Sequence, residues 1–320
     1  MDLYPPLPVS IDVEPTIRCN LRCPMCQRTY WNRKANDLDL NGFKTIVNSF
    51  PNLKALKLQG MGEPFLNNAV FDMIEFAKNR DVEVSIYSNA TLFGHQEILE
   101  GIASSNLDLL RISIDSGVKS SYEAIRRGAV FEDTVNNVRL LVQENKRVKR
   151  IEFWSVLMKP NAEGIHHLVD LAQQCGVHTV NLQLILNTFS YKDAIGETIA
   201  RMEIPSDETT VSLLQTGKEY ARRAGVNLEY AYSKAYSPSR RCHWSFDKAF
   251  ISVEGYVVPC CTIADPTIMN FGNVFETPFE EIWHGRKYRL FRQAILEDRL
   301  PSPCQLCYSE KHHALVSSLS

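Results

Sequence analysis

An open α/β barrel of six βα units, a partial (β/α)6 barrel followed by a small cysteine-rich module, is the fold that this 320-residue sequence predicts. Three observations lead there. Between residues 10 and 185, short β-like runs alternate with amphipathic stretches of helical length, the βαβ signature of a parallel sheet. Those runs are apolar on one face and polar on the other, whereas strands covered on both faces read as near-continuous Val, Ile and Leu. Eight of the nine cysteines fall into two clusters, one near each end of the chain.

Six strands are predicted, at 10–14, 55–59, 83–88, 109–115, 151–157 and 179–184. Ile11 and Val13 alternate with Asp12 and Glu14, Leu56 and Leu58 with Lys57 and Gln59, and Val84 and Ile86 with Ser85 and Tyr87. Leu110, Ile112 and Ile114 alternate with Arg111, Ser113 and Asp115, and Val180 and Leu182 with Asn181 and Gln183. A face that is polar in strand after strand cannot be the packed interior of a closed eight-stranded barrel. The expectation is an open barrel whose lumen takes polar ligands, with Asp12, Glu14, Lys57, Tyr87, Arg111, Asp115, Asn181 and Gln183 facing one cavity. A flat sheet with one wet face is the alternative. Helices are expected between the strands, among them 40–50, 68–79 and 161–175, the last closed by Gly176. Residues 1–185 form the barrel core and 186–240 a helical connector, with a helix capped by Ser206 and stopped at Gly225. The charged, serine-rich stretch 230–241 marks a boundary. Residues 241–320 form the small module, with a hairpin at 250–260 turning at Glu254 and Gly255 and a helix at 278–296.

The hydrophobic fraction of 44% and charged fraction of 22% exclude intrinsic disorder. Thirty-five basic and 37 acidic side chains leave a charge of −2, so the chain has no general attraction for nucleic acid or anionic lipid. No run approaches a membrane span, and acidic Asp2 with three early prolines does not make a secretory signal. A cytoplasmic location keeps thiols reduced, and the cysteines then read as ligands or nucleophiles.

Cys19, Cys23 and Cys26 form C-x3-C-x2-C after the first strand, at the C-terminal mouth where ligands of parallel α/β folds gather. A structural zinc needs four ligands, and the nearest further cysteine or histidine is His95. Three thiolates on a short loop suit a 4Fe-4S cluster with one iron open to an outside ligand. At these residues the sequence resembles the radical S-adenosylmethionine (SAM) superfamily. Gly60, Met61, Gly62, Glu63 and Pro64 are similar to its GGE-type motif, which meets the amino group of SAM; alone, Gly60-x-Gly62 could open a dinucleotide fingerprint, but Phe65 replaces its third glycine. Ser88, Asn89, Ala90, Thr91 and Leu92 resemble its Asn-Gly-Thr segment. Ile112 to Ser116, with Tyr122, Arg126 and Gly128, resemble its fourth-strand segment, where a serine meets the ribose and an arginine the methionine carboxylate. The resemblance implies SAM contacts from Met25, Gly60, Met61, Gly62, Glu63, Ser88, Asn89, Ser113, Asp115 and Arg126. Met25 departs from the pattern, which usually has an aromatic residue there, against the adenine; methionine is flat and polarizable enough to serve. The implied activity is reductive cleavage of SAM, fed by a flavodoxin- or ferredoxin-type donor, to a 5'-deoxyadenosyl radical that takes hydrogen from a substrate in the lumen.

Cys242, Cys260, Cys304 and Cys307 make a second set, whose spacing alone suits a tetrahedral zinc or an iron–sulfur cluster. With Gly255 to Cys260, Gly272 to Val274, Trp283 and 301–307, it resembles the twitch form of the SPASM-type extension, which implies one auxiliary 4Fe-4S cluster. A fully ligated cluster suggests electron traffic, hence two-electron oxidation of a sugar, aminocyclitol or similar polar metabolite. An epimerase or peptide modifier is the alternative, and a non-catalytic zinc or iron–sulfur module the third reading. Cys261 must point away from its neighbour Cys260 in extended chain. It either packs beneath the hairpin or faces the barrel mouth as a hydrogen donor to the substrate radical. Cys175 reads as a core residue, and His166, His167, His312 and His313 as solvated.

Overall fold

Strands β1 (Ser10–Val13), β2 (Ala55–Leu58), β3 (Glu83–Ser88), β4 (Leu109–Ser113), β5 (Ile151–Val156) and β6 (Thr179–Gln183) lie side by side in parallel, as the alternation predicts. The structure, a computed structural model, describes residues 2–187, 194–231 and 242–308, with side chains up to residue 305. A seventh parallel strand, β7 (Asn227–Ala231), pairs with β6 along its whole length. The sequence hides it because its five residues directly follow the Gly225 stop and run into the stretch read as a boundary. The sheet stays open, with β7 at one edge.

The small module is not separate from this sheet. Its strand β8 (Lys248–Ile251) pairs in parallel with β1, placing Ser10 opposite Lys248 and Val13 opposite Ile251. Strands β9 (Tyr256–Val258) and β10 (Gly272–Asn273) continue antiparallel to the other edge, making ten strands among the described residues. The hairpin turns at Gly255, as expected, where φ is +87°.

Ile11, Val13, Leu56, Leu58, Val84, Ile86, Leu110, Ile112, Val180 and Leu182 are buried on the apolar face. On the other face, Lys57, Tyr87, Ser113, Trp154, Gln183, Ala231 and Lys248, from seven different strands, line one cavity. A flat sheet could not bring them together, so the polar face curves around a lumen.

Two helix boundaries differ from expectation. Asp207, not Ser206, caps the helix Glu208–Ala224, its carboxylate accepting from Thr210 N at 2.9 Å, and Gly225 ends it at φ +72°. The helix expected at 278–296 is two, Phe279–Trp283 and Arg286–Leu296. Gly285 stands extended between them, where a Cβ would lie 2.8 Å from the Glu281 carbonyl oxygen. Gly176 has the expected positive φ, Cys175 is buried, and His166 and His167 are exposed; residues 188–193, 232–241 and 309–320, which include His312 and His313, lie outside the described residues.

At the strand N-termini, Asp108 accepts from Lys149 Nζ at 2.5 Å, Lys78 Nζ at 2.6 Å and Val84 N at 2.8 Å. Burial opposes ionisation, but the bonds from Lys149 and Lys78 prevail and hold this carboxyl below the usual carboxylate range. A depressed folded pKa contributes stability that is present above the unfolded value of about 4 and is lost as pH falls through the folded one. Urea unfolding of Asp108→Asn should show a loss of ~1–3 kcal/mol near neutrality, shrinking as pH falls below about 4. A gap independent of pH would show that the charge is irrelevant.

Candidate active site

The loop after β1 is fastened at both ends. Thr16 Oγ1 donates to Asp37 Oδ1 at 2.5 Å, and Arg28 Nε donates to the Ile17 carbonyl at 2.7 Å. Between these anchors Cys26 N donates to the Cys23 carbonyl and Thr29 N to the Cys26 carbonyl, each at 3.1 Å, coiling the chain so that Cys19, Cys23 and Cys26 all line the lumen cavity beside Met25. Burial pushes the three thiols up, Cys19 to about 11 and Cys26 to about 12. Thiols held protonated in this way would have to give up their protons to act as metal ligands. Among the described residues no three His, Cys, Asp or Glu side chains form a site for a single metal ion.

Gly60 and Gly62 are required by packing. A Cβ at Gly62 would stand 2.2 Å from the Thr16 carbonyl oxygen and 2.6 Å from that of Arg18, and one at Gly60 would meet Glu14 Cγ at 2.2 Å. This approach lets Glu63 N donate to the Arg18 carbonyl at 2.7 Å and Met61 N to Glu14 Oε1 at 2.9 Å. The Glu63 carboxylate then spans to the end of β3, accepting from Ser88 Oγ and Asn89 N, both at 2.8 Å, and from Phe65 N at 3.3 Å. Burial raises its pKa to about 7, against these bonds. A carboxylate has about four acceptor positions, so three donors leave one for a ligand ammonium. The pairing expected with SAM thus acquires a structural companion.

Beyond β3, Asn89 donates to Asn20 Oδ1 at 3.1 Å and reaches Cys19 Sγ at 3.9 Å. Ala90 takes φ +61°, which explains why the motif it resembles has glycine there. Ser113 and Arg126 line the cavity; Arg126 Nε donates to Asp115 Oδ2 at 2.5 Å, and its Nη1 lies 4.0 Å from Cys23 Sγ. Asp115 also accepts from Val156 N at 2.8 Å. It therefore holds Arg126 and β5 and does not itself line the cavity.

Of the eight polar residues expected in one cavity, Lys57, Tyr87 and Gln183 line it. Asp12 and Arg111 join it through side chains that line it, and Asn181 through Arg111's partner. Lys57 Nζ lies 3.7 Å from Asp12 Oδ2, Arg111 donates to the Tyr87 hydroxyl and to Glu152 Oε2 (3.0 Å), and Asn181 Nδ2 donates to the same Glu152 oxygen at 3.0 Å. Glu14 departs from expectation. It is taken up by Met61 N and, at 3.4 Å, Val253 N, and so ties the barrel to the small module.

Cys261 lines the cavity, while Cys260 is within electrostatic reach of Tyr288 together with Cys242. Cys260 is extended and Cys261 opens a 3-10 turn, and of the two only Cys261 lines the cavity. Burial pushes the Cys261 thiol up to about 11. The small module also brings His243, Trp244, Lys248 and Thr262 to the cavity, none singled out by the sequence; the β8–β1 pairing puts Lys248 there, and no local pattern announces it. Cys304 lies in the terminal 3-10 segment Ser302–Tyr308, and the side chain of Cys307 lies outside the described residues.

Soft thiolates, a glycine-rich turn with a carboxylate, and a guanidinium around one cavity suit a class of iron–sulfur enzyme that seats an amino-acid-like cofactor on its cluster. The chain belongs to the radical SAM superfamily, whose family model matches residues 13–175, and its residues 242–308 match the SPASM iron-sulfur cluster-binding domain. The chain is 26% identical to a tungsten-containing aldehyde ferredoxin oxidoreductase cofactor-modifying protein of Pyrococcus furiosus, over 92% of this chain and 86% of that one. It is 22% identical to an AdoMet-dependent heme synthase of Methanosarcina barkeri (95% and 89%) and 22% identical to a PqqA peptide cyclase of Gluconobacter oxydans (95% and 83%). Among solved structures, Streptococcus suis SuiB bound to precursor peptide SuiA shares the fold with a TM-score of 0.72 at 16% identity, covering 90% of this chain and 67% of that one. SAM, its 4Fe-4S cluster and auxiliary iron–sulfur binding follow from this membership. Among the described residues no helix is long and apolar enough to cross a membrane.

Glu63→Ala should weaken SAM binding and also lower stability by ~1–3 kcal/mol, because Ser88 Oγ and the Asn89 amide lose their acceptor. Equilibrium binding and thermal melts read the two effects. Weakened binding with an unchanged melt would leave Glu63 a ligand contact alone.

Proposed function

We propose that this radical SAM enzyme is a maturase that modifies one side chain or substituent of a peptide or cofactor precursor presented into the lumen. The observation that carries the reading is the shared cavity, about 710 Å³, walled by the three-cysteine loop on one side and by Lys248, Cys261 and Thr262 of the small module on the other. Cavities of roughly 300–1,000 Å³ hold one small-molecule ligand. With SAM seated beside the cysteines, the remaining room suits a group of side-chain size. The relatives, named for modifying a cofactor, synthesising heme and cyclising a peptide, favour this reading over oxidation of a free sugar or aminocyclitol.

Cys19, Cys23 and Cys26 are the residues that would hold the SAM-binding cluster, and Cys242, Cys260, Cys304 and Cys307 one auxiliary cluster. Met25, Gly60, Met61, Gly62, Glu63, Ser88, Asn89, Ser113 and Arg126 would surround SAM, with Asp115 fixing Arg126. When bound, the cluster and SAM supply a 5'-deoxyadenosyl radical. The chain's own contribution is orientation and exclusion of water: Arg126 offers a guanidinium for the methionine carboxylate, Glu63 an acceptor for the ammonium, and the Gly60–Gly62 turn a backbone edge. Lys57, Tyr87, Trp154, Gln183 and Lys248 present charge and aromatic surface to the substrate group. Anaerobic turnover with a candidate peptide or precursor should give 5'-deoxyadenosine together with a mass change on that substrate. Turnover of a free aminocyclitol with no change in any peptide or precursor would sink the maturase reading.

The cavity-facing Cys261 favours a second reading, inversion of a stereocentre. Its S–H bond would break as the substrate C–H bond forms, and the resulting thiyl would be returned to the thiol by one electron and one proton from a reduced flavodoxin- or ferredoxin-type donor.

Cys19→Ala should abolish 5'-deoxyadenosine formation under dithionite, since two thiolates do not hold the cluster; substantial cleavage would overturn the ligand assignment. Cys261→Ala should keep SAM cleavage but lose any inverted product, and full turnover to an unaltered product distribution would exclude the donor role.

A further inference from the structure

Helix Arg286–Leu296 places Tyr288 and Arg292 one turn apart, and both side chains are fully buried. The Tyr288 ring stacks on Phe271 with centroids 3.8 Å apart and meets Trp283 edge-on at 4.7 Å, while its hydroxyl has no hydrogen-bond partner. Arg292 lies 4.4 Å from the centre of that ring. Its Nε donates to the Ser245 carbonyl at 2.7 Å and its Nη1 to the carbonyls of Trp283 (2.6 Å) and Leu3 (3.1 Å), but Nη2 has no partner. The exposed Asp2 favours this cation electrostatically without bonding to it, and all the hydrogen bonds of Arg292 go to carbonyls. A buried hydroxyl without an acceptor and a buried cation without an anion are both costly, and native cores rarely keep either without a reason.

One anionic acceptor would answer both. The phenol lies within electrostatic reach of Cys242 and Cys260, and Arg292 grips Ser245, three residues beyond Cys242. An iron–sulfur cluster on thiolates is anionic and becomes more so on reduction, so a nearby donor and a cation stabilise its reduced form and raise its potential.

We propose that Tyr288 donates its hydroxyl hydrogen bond to the sulfur shell of the auxiliary cluster and that Arg292 supplies the buried counter-charge, the pair setting the cluster's reduction potential. Tyr288 is thus a tuning residue for electron transfer and touches neither SAM nor substrate. The test is an anaerobic redox titration followed by electron paramagnetic resonance, with iron content measured in parallel. It uses the full reconstituted chain carrying Cys19→Ala, Cys23→Ala and Cys26→Ala, so that only the auxiliary iron is titrated, and is repeated in the holoenzyme. Tyr288→Phe, which keeps the stack on Phe271, should shift the midpoint to a more negative value. Difluorotyrosine at position 288, a stronger donor of the same shape, should shift it the opposite way, and a packing defect could not produce opposite signs. Equal midpoints in all three proteins at equal iron content would overturn the proposal, as would shifts of the same sign. If Tyr288→Phe fails to retain iron, the difluorotyrosine chain decides alone, its positive shift supporting the proposal and an unmoved midpoint refuting it.

Discussion

Everything at the mouth of this barrel depends on how closely the turn after β2 approaches the loop after β1. A single methyl at Gly62 would lie 2.2 Å from the Thr16 carbonyl oxygen, so the two segments touch backbone to backbone. That contact places Glu63 within reach of both Arg18 and the end of β3, and three strand ends become one cross-linked rim. Cys19 and Asn89 take their relative positions from this rim. Rigid neighbours of this kind hold a reacting pair in register at little entropic cost during turnover.

The lumen beneath is organised by opposite charges. Asp12 faces Lys57, Arg111 faces Glu152, and Asp115 holds Arg126, the first two pairs bridging neighbouring strands and the third lying within the chain that follows β4. Such pairs are tolerated away from water only when matched, and matching them fixes the orientation of side chains that a substrate must meet. Burial leaves Glu14 and Glu63 at about 7, so both carboxyls respond to any cation placed against them. Glu14 is the less expected of the two, since it couples the barrel turn to Val253 of the small module.

Much of this was legible from residue order. Period-two alternation located six strands within two residues of their observed ends, because one face had to meet helices and the other a polar lumen. Cysteine spacing and the Gly60–Glu63 turn located the mouth. The losses have physical causes. Strand β7 is short and depends on pairing with β6 for its existence; the break at Gly285 turns on a contact with a carbonyl one turn earlier. Lys248, His243 and Trp244 enter the cavity only because β8 pairs with β1, more than 200 residues away in sequence, and pairing at that distance leaves no local signature. The substrate class was the least legible feature, since a polar lumen admits sugars and peptide side chains alike.

The same pairing has a consequence for how such a chain can be divided or recombined. Because β8 completes the hydrogen-bonding edge of β1, the auxiliary module is a continuation of the catalytic sheet and not a bead on a string. A chain severed between β7 and β8 would leave β1 with a row of unsatisfied amides and carbonyls along an apolar strand, a template for aggregation. Exchange of this module between enzymes would therefore have to carry a strand that fits β1 in register, so inheritance of the two halves is coupled by backbone geometry before any electron passes between them.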